Sequence, residues 1–163
     1  MLHGDRADPA TAVSRLAGYL TASASPDALL AAAATGIGEA LQVPGVRVTA
    51  VVGDRVVDEA VWGIVATDVD HIPVHFYEDL VGHLDVAQRE PQTTLSRADG
   101  RVLSQLLPHI ATAMHIVRLT ADLTAAREQA VRAREEERRR IRRDLHDGLG
   151  PVLAGLGLSL EGV

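Results

Sequence analysis

The 163-residue chain contains no cysteine. This excludes disulfides, thiolate zinc sites, iron–sulfur ligation, a cysteine nucleophile and a thioether-linked chromophore, and it is compatible with a reducing cytoplasm. Aromatic side chains are nearly as scarce, being limited to Tyr19, Trp62, Phe76 and Tyr77. The core must therefore come from Leu, Val, Ile and Ala, and stacking of nucleic-acid bases on aromatic platforms is not expected. No run of about 18 apolar residues offers a membrane span. The opening "MLHGDRADPATAV" also lacks the basic and apolar regions of a signal peptide. A soluble, cytoplasmic protein is expected.

Lysine is absent too, so arginine carries all the fixed positive charge. Residues 1–117 hold 7 Arg against 14 Asp and Glu, whereas residues 118–163 hold 9 Arg against 8 acids. The acidic first part has no electrostatic footprint for nucleic acid or an anionic membrane. In the second part acids are interleaved with the arginines, and the basic cluster follows an apolar repeat instead of preceding it as in a basic zipper. Direct nucleic-acid binding is not expected.

What is present is a chain 47% hydrophobic and long enough for one domain with an appendage. Residues 9–22 place Val13, Leu16, Ala17 and Leu20 on one helical face. A second helix is signalled by Ser25 as N-cap, Pro26 at the first position and Asp27 in the first turn. Its stripe is Leu29, Leu30, Ala33, Ile37 and Leu41, and Pro44-Gly45 ends it. The period then becomes extended. "VRVTAVV" (46–52) and "RVVDEAVW" (55–62) flank Gly53-Asp54, and "HIPVHFY" (71–77) and "LVGHLDVAQ" (80–88) flank Glu78-Asp79. These read as two hairpins. Strands between helices predict an α+β domain with an antiparallel sheet and flanking helices.

A long helix is predicted from about residue 97, opened by a capping box of Ser96 and Asp99 and kinked at Pro108. Ile116, Leu119, Leu123, Ala126, Ala130 and Ala133 alternate spacings of three and four, and Glu137, Ile141 and Leu145 continue in fours. That is a coiled-coil seam with a stutter. A second copy in a parallel homodimer is the simplest partner; a helix folded back on its own domain is the alternative. Farther on, Gly148, Gly150, Gly155, Gly157 and Pro151 weaken the helix, each interior glycine by about 1 kcal/mol.

His146 lies beside the seam position Leu145, with Asp147 one step further round, so packing demands neither. An imidazole outside the core is a competent nucleophile towards phosphorus, and an adjacent carboxylate can orient it and take its proton. His3, His71, His109 and His115 lack such an ordered context and are read as structural. His71, His75 and His83 share the second hairpin, but strand alternation does not force them together, so no metal site is expected. His75 is the best single candidate for a pocket residue.

"EEERRRIRRDLHDGLGPVLAGLGLSLE" (135–161) resembles the phosphoacceptor helix of bacterial sensor histidine kinases, in the subfamily that includes the nitrate/nitrite sensors. The resemblance implies that His146 is phosphorylated from ATP, with Asp147 as its acid–base neighbour. It further implies transfer to an aspartate of a response regulator, usually one with a helix-turn-helix output domain. Arg142, Arg143 and Asp144 fit as a charged flank for phosphate or partner. The glutamine or histidine that many members carry four residues after the motif aspartate is Pro151 here, so dephosphorylation by that route is not implied. ATP with Mg²⁺ is implied for the full-length kinase, on a domain expected to follow. "GLGP" and "GLGL" are not phosphate loops, no cofactor is expected on residues 1–163, and this stretch alone should be inactive.

Upstream, "G-x-L-x-V" at Gly82, Leu84 and Val86 followed by "LSRADGRVL" resembles a GAF domain, whose usual lid is reduced to "GIVATDVD" (63–70). The expected organisation is a flexible terminus at 1–8, a GAF-like sensory domain at 9–95, a signalling helix at 96–134 and an incomplete first phosphoacceptor helix at 135–163. The implied function is the sensory and phosphoacceptor portion of a two-component kinase. A non-enzymatic GAF-like ligand-binding or dimerisation module is the alternative.

Overall fold

The computed structural model describes the backbone of residues 8–160 other than Ala24 and Ala66, and the side chains among these other than Asp27 and those of 147–160. The expected flexible terminus at 1–8 falls outside the described residues except for Asp8.

Helix α1 (Pro9–Ala22) starts on proline, whose fixed φ suits the first helical position, and turns Ala12 and Leu16 into the core. Helix α2 (Pro26–Leu41) is capped as the sequence predicts: the Ser25 hydroxyl accepts a hydrogen bond from the Ala28 amide at 3.3 Å. Leu30, Ala33, Ile37 and Leu41 are buried, and the helix ends where Gln42 adopts a left-handed conformation, φ 52°.

Strands β1 (Gly45–Val52) and β2 (Arg55–Gly63) form the first hairpin, and β3 (Val69–Phe76) and β4 (Asp79–Ala87) the second. The hairpins join through β1 and β4 into one antiparallel sheet of order β2-β1-β4-β3. The first turn is at Gly53-Asp54 as expected, with Gly53 at φ 57°. The second is displaced by one residue: Phe76 pairs with Asp79, leaving Tyr77 and Glu78 at the tip. The cause is a bulge. Val74 pairs with Gly82 but His75 with Leu80, so Val81 is an extra residue in β4 and slides the tip along the chain.

Val46, Val48, Ala50, Leu84 and Val86 point from the central strands into a core completed by Leu30, Ile37 and Leu41 of α2. Helix α3 (Arg97–Leu160) adds Val102, Leu103, Leu106, Ile110, Ala111, Met114 and Val117 to the same core. The fold class is therefore α+β, with a long C-terminal helix. The helix continues through Pro108, and the Thr112 hydroxyl donates to the Pro108 carbonyl at 2.9 Å. Its backbone also stays helical through Gly148, Gly150 and Pro151. The chain divides into one compact unit ending at Ala121 and a second beginning at Asp122.

Candidate functional site

Three arrangements in the first unit carry polar chemistry. The first is the outer face of the sheet. Cross-strand pairing sets Arg47 opposite Asp85, His71 opposite Asp85, and Thr49 opposite both His83 and Glu59. Side chains on one face of adjacent strands are neighbours, so these groups converge. His71 Nδ1 lies 2.5 Å from Asp85 Oδ1, and Arg47 lies 3.7 Å from the other carboxylate oxygen. The His71 and His83 rings stack at 4.7 Å between centroids. His83 Nδ1 and Arg47 Nε are buried without a hydrogen-bond partner. This face offers imidazole and guanidinium groups around two carboxylates, Asp85 and Glu59, the latter 3.8 Å from Arg47. Among the described residues no group of three or more His, Asp or Glu is placed to hold a metal ion.

The second arrangement is a cavity of about 570 Å³ between β3 and the early turns of α3. His75, the sequence's candidate pocket residue, lines it with Pro73, Phe76, Tyr77, Ser104 and Pro108. His71 and His83 are not among its lining residues, so the three hairpin histidines divide between two places. Phe76 is braced from behind by His115, whose ring lies parallel at 4.2 Å.

The third joins the end of α2 to the start of α3. Asp99 is buried and completes the predicted capping box, accepting from the Ser96 amide at 3.0 Å and hydroxyl at 2.7 Å while the Asp99 amide donates to Ser96 Oγ at 3.2 Å. The Arg89 guanidinium donates to both Asp99 oxygens, at 3.0 and 3.1 Å, and also to the Leu41 and Gln42 carbonyls that end α2. Burial pushes the Asp99 carboxyl up, but hydrogen bonds from Arg89 and Ser96 outweigh it and hold the group at about 2, below its ordinary 3.8. The capping box was visible in the sequence; Arg89 was not, because its partners at Leu41 and Gln42 are distant in the chain.

In the second unit, Arg142, Arg143, Asp144 and His146 are exposed on α3. The side chain of Asp147 lies outside the described residues. The seam positions Leu123, Ile141 and Leu145 are exposed by 72%, 47% and 54%, so the single chain leaves them uncovered. Arg140 pairs with Glu137 at 2.7 Å and Arg132 with Glu128 at 3.2 Å, the spacings at which helix side chains meet. Among the described residues no helix is long and apolar enough to cross a membrane.

No protein-family model matches the chain, and no curated protein matches it in sequence. Among solved structures, the GAF domain of an Acinetobacter phosphoenolpyruvate-protein phosphotransferase is similar, with a TM-score of 0.53 and 12% identity. The match covers 70% of this chain and 97% of that domain. At this identity the likeness concerns the fold: the antiparallel sheet and its flanking helices have a GAF-like architecture.

Proposed function

We propose that the chain is the sensory and phosphoacceptor portion of a two-component sensor histidine kinase, in which a GAF-like domain feeds a signalling helix carrying His146. The observation that carries this reading is the placement of His146. It is exposed on an unbroken helix, within "RDLHD", one residue after an uncovered apolar seam. In the proposed reaction an imidazole nitrogen attacks the γ-phosphorus of ATP, the bond to the β–γ bridging oxygen breaks, and ADP leaves. Asp147 takes the ring proton. The phosphoryl group then passes to an aspartate of a response regulator, with a helix-turn-helix output domain as the subfamily resemblance implies, and the imidazole is regenerated.

In this reading two cytoplasmic copies pair in parallel through Leu119, Leu123, Ile141 and Leu145. Arg142, Arg143 and Asp144 form the charged flank that meets phosphate or regulator. Input alters how the paired helices pack about the seam, a two-state change that governs whether His146 meets ATP. ATP and its Mg²⁺ arrive with an ATP-binding domain. The test supplies such a domain in trans with radiolabelled ATP. Label on the wild-type chain and none on a folded His146→Gln variant is the expected result. Equal label on the variant, or none on a folded wild-type dimer, overturns the kinase reading.

The second reading is a non-enzymatic ligand-binding or dimerisation module. What favours it is the fold likeness, which takes in nearly the whole of a GAF domain.

A further inference from the structure

We propose that the cavity between β3 and α3 is a binding site for planar heteroaromatic amines, held through their N–H groups on the helix carbonyl that Pro108 leaves without a donor. The inference concerns the unit ending at Ala121 and does not depend on what happens at His146.

The space is of the right order: about 570 Å³ falls within the range of small-molecule sites. Its helical wall has an unusual polarity. Proline carries no backbone N–H, so the Ser104 carbonyl, four residues earlier, lacks the donor that every other turn of helix supplies. Ser104 and Pro108 both line the cavity. The Ser104 hydroxyl spends its hydrogen on the Arg101 carbonyl at 2.8 Å, and the Thr112 hydroxyl spends its own on the Pro108 carbonyl at 2.9 Å. Both hydroxyls retain lone pairs. The helical wall therefore accepts hydrogen bonds and has no donor of its own to give.

The opposite wall supplies flat apolar surface. Phe76 is fixed by its stack on His115, whose Nδ1 is itself buried without a hydrogen-bond partner. Tyr77 stands at the rim, 90% exposed and held out by a left-handed backbone, φ 55°. A large side chain rarely adopts that conformation, which the displaced hairpin tip imposes here. Glu78 and Asp79 follow at the same tip, and no arginine is among the described residues that line the cavity. A ligand that donates hydrogen bonds and carries partial positive charge on its edge matches the accepting helical wall and the acidic tip. β3 is an edge strand, so its outer side is not covered by another strand.

The test titrates the ¹⁵N-labelled full chain with indole, benzimidazole and 2-aminobenzimidazole up to millimolar concentration. Saturable amide shifts are expected at His75, Tyr77, Ser104, Ala111 and Thr112. The Pro108→Ala variant returns the missing N–H to the Ser104 carbonyl and should bind 2-aminobenzimidazole roughly 5–10-fold more weakly while unfolding no earlier on heating. An analogue methylated at every nitrogen should bind wild type with the same loss, and Pro108→Ala with no further loss. Shifts that map to the outer sheet face around Asp85, absence of saturable shifts with all three probes, or Pro108→Ala binding as wild type would each overturn the assignment.

Discussion

Arg89 grips Asp99 through two hydrogen bonds, 3.0 and 3.1 Å long, and the same guanidinium reaches the last carbonyls of α2. One side chain thus ties the end of a core helix to the first turn of the helix that carries every downstream residue. The carboxylate is almost wholly buried, so its stability rests on Arg89 and Ser96, not on water. The first turn of α3 is therefore held by a clasp instead of fraying into the preceding loop.

Asp99→Asn removes the charge while keeping the shape, and Arg89→Ala leaves that charge buried without its cation. Arg89→Ala is the more damaging, by about 3 kcal/mol in urea unfolding, because the buried carboxylate loses its cation and keeps only the Ser96 donors. Equal effects of the two would contradict a role for charge.

The same pair sets an acid limit. The folded carboxyl is held at about 2, below its ordinary 3.8, so its contribution is fully present above pH 4 and is lost as the pH falls towards 2. A depression of this size corresponds to about 2 kcal/mol. Unfolding free energy measured across that window should fall less steeply for Asp99→Asn than for wild type.

Trp62 of β2 lies against the backbone of α2 at Gly38, where an added Cβ would sit 2.0 Å from the indole. Gly38→Ala should displace the ring and cost about 1–3 kcal/mol, the range for overpacking. Trp62 is the chain's sole tryptophan, so its emission reports the displacement directly. Combining Gly38→Ala with Trp62→Leu should recover part of the loss.

Leu123 is 72% exposed on the single chain. If two seams pair, Leu123→Glu deletes two buried leucines per dimer and should weaken association at least about a hundredfold. Sedimentation should then show monomers at concentrations where wild type is dimeric, with Trp62 emission unchanged. A variant that remains dimeric excludes this seam.

Local signals carried much of this structure. Ser25-Pro26 opens α2, Gly53-Asp54 turns the first hairpin, and Ser96 with Asp99 opens α3, because capping and turn chemistry act over a few residues. Features that depend on distant pairing were not legible. The bulge at Val81 moves the second hairpin's tip by one residue, and no composition rule marks it. The convergence of Arg47, His71, His83 and Asp85 requires knowing that β1 lies beside β4. Pro108 was legible as a residue that forfeits a hydrogen bond; the cavity that it and Ser104 line together with β3 was not, because it depends on how the sheet packs on the helix. His146 was singled out by its neighbours alone; on the single chain it is exposed together with the seam residues Ile141 and Leu145.

The most direct measurement is the site and chemistry of phosphate on the folded full chain after reaction with ATP-Mg and an ATP-binding domain, read by fragmentation mass spectrometry without acid exposure. The account predicts one acid-labile, base-stable phosphate per chain, attached to the His146 ring and discharged by a response regulator. Phosphate on serine, threonine or another histidine, or a fully folded dimer that takes none, would contradict it.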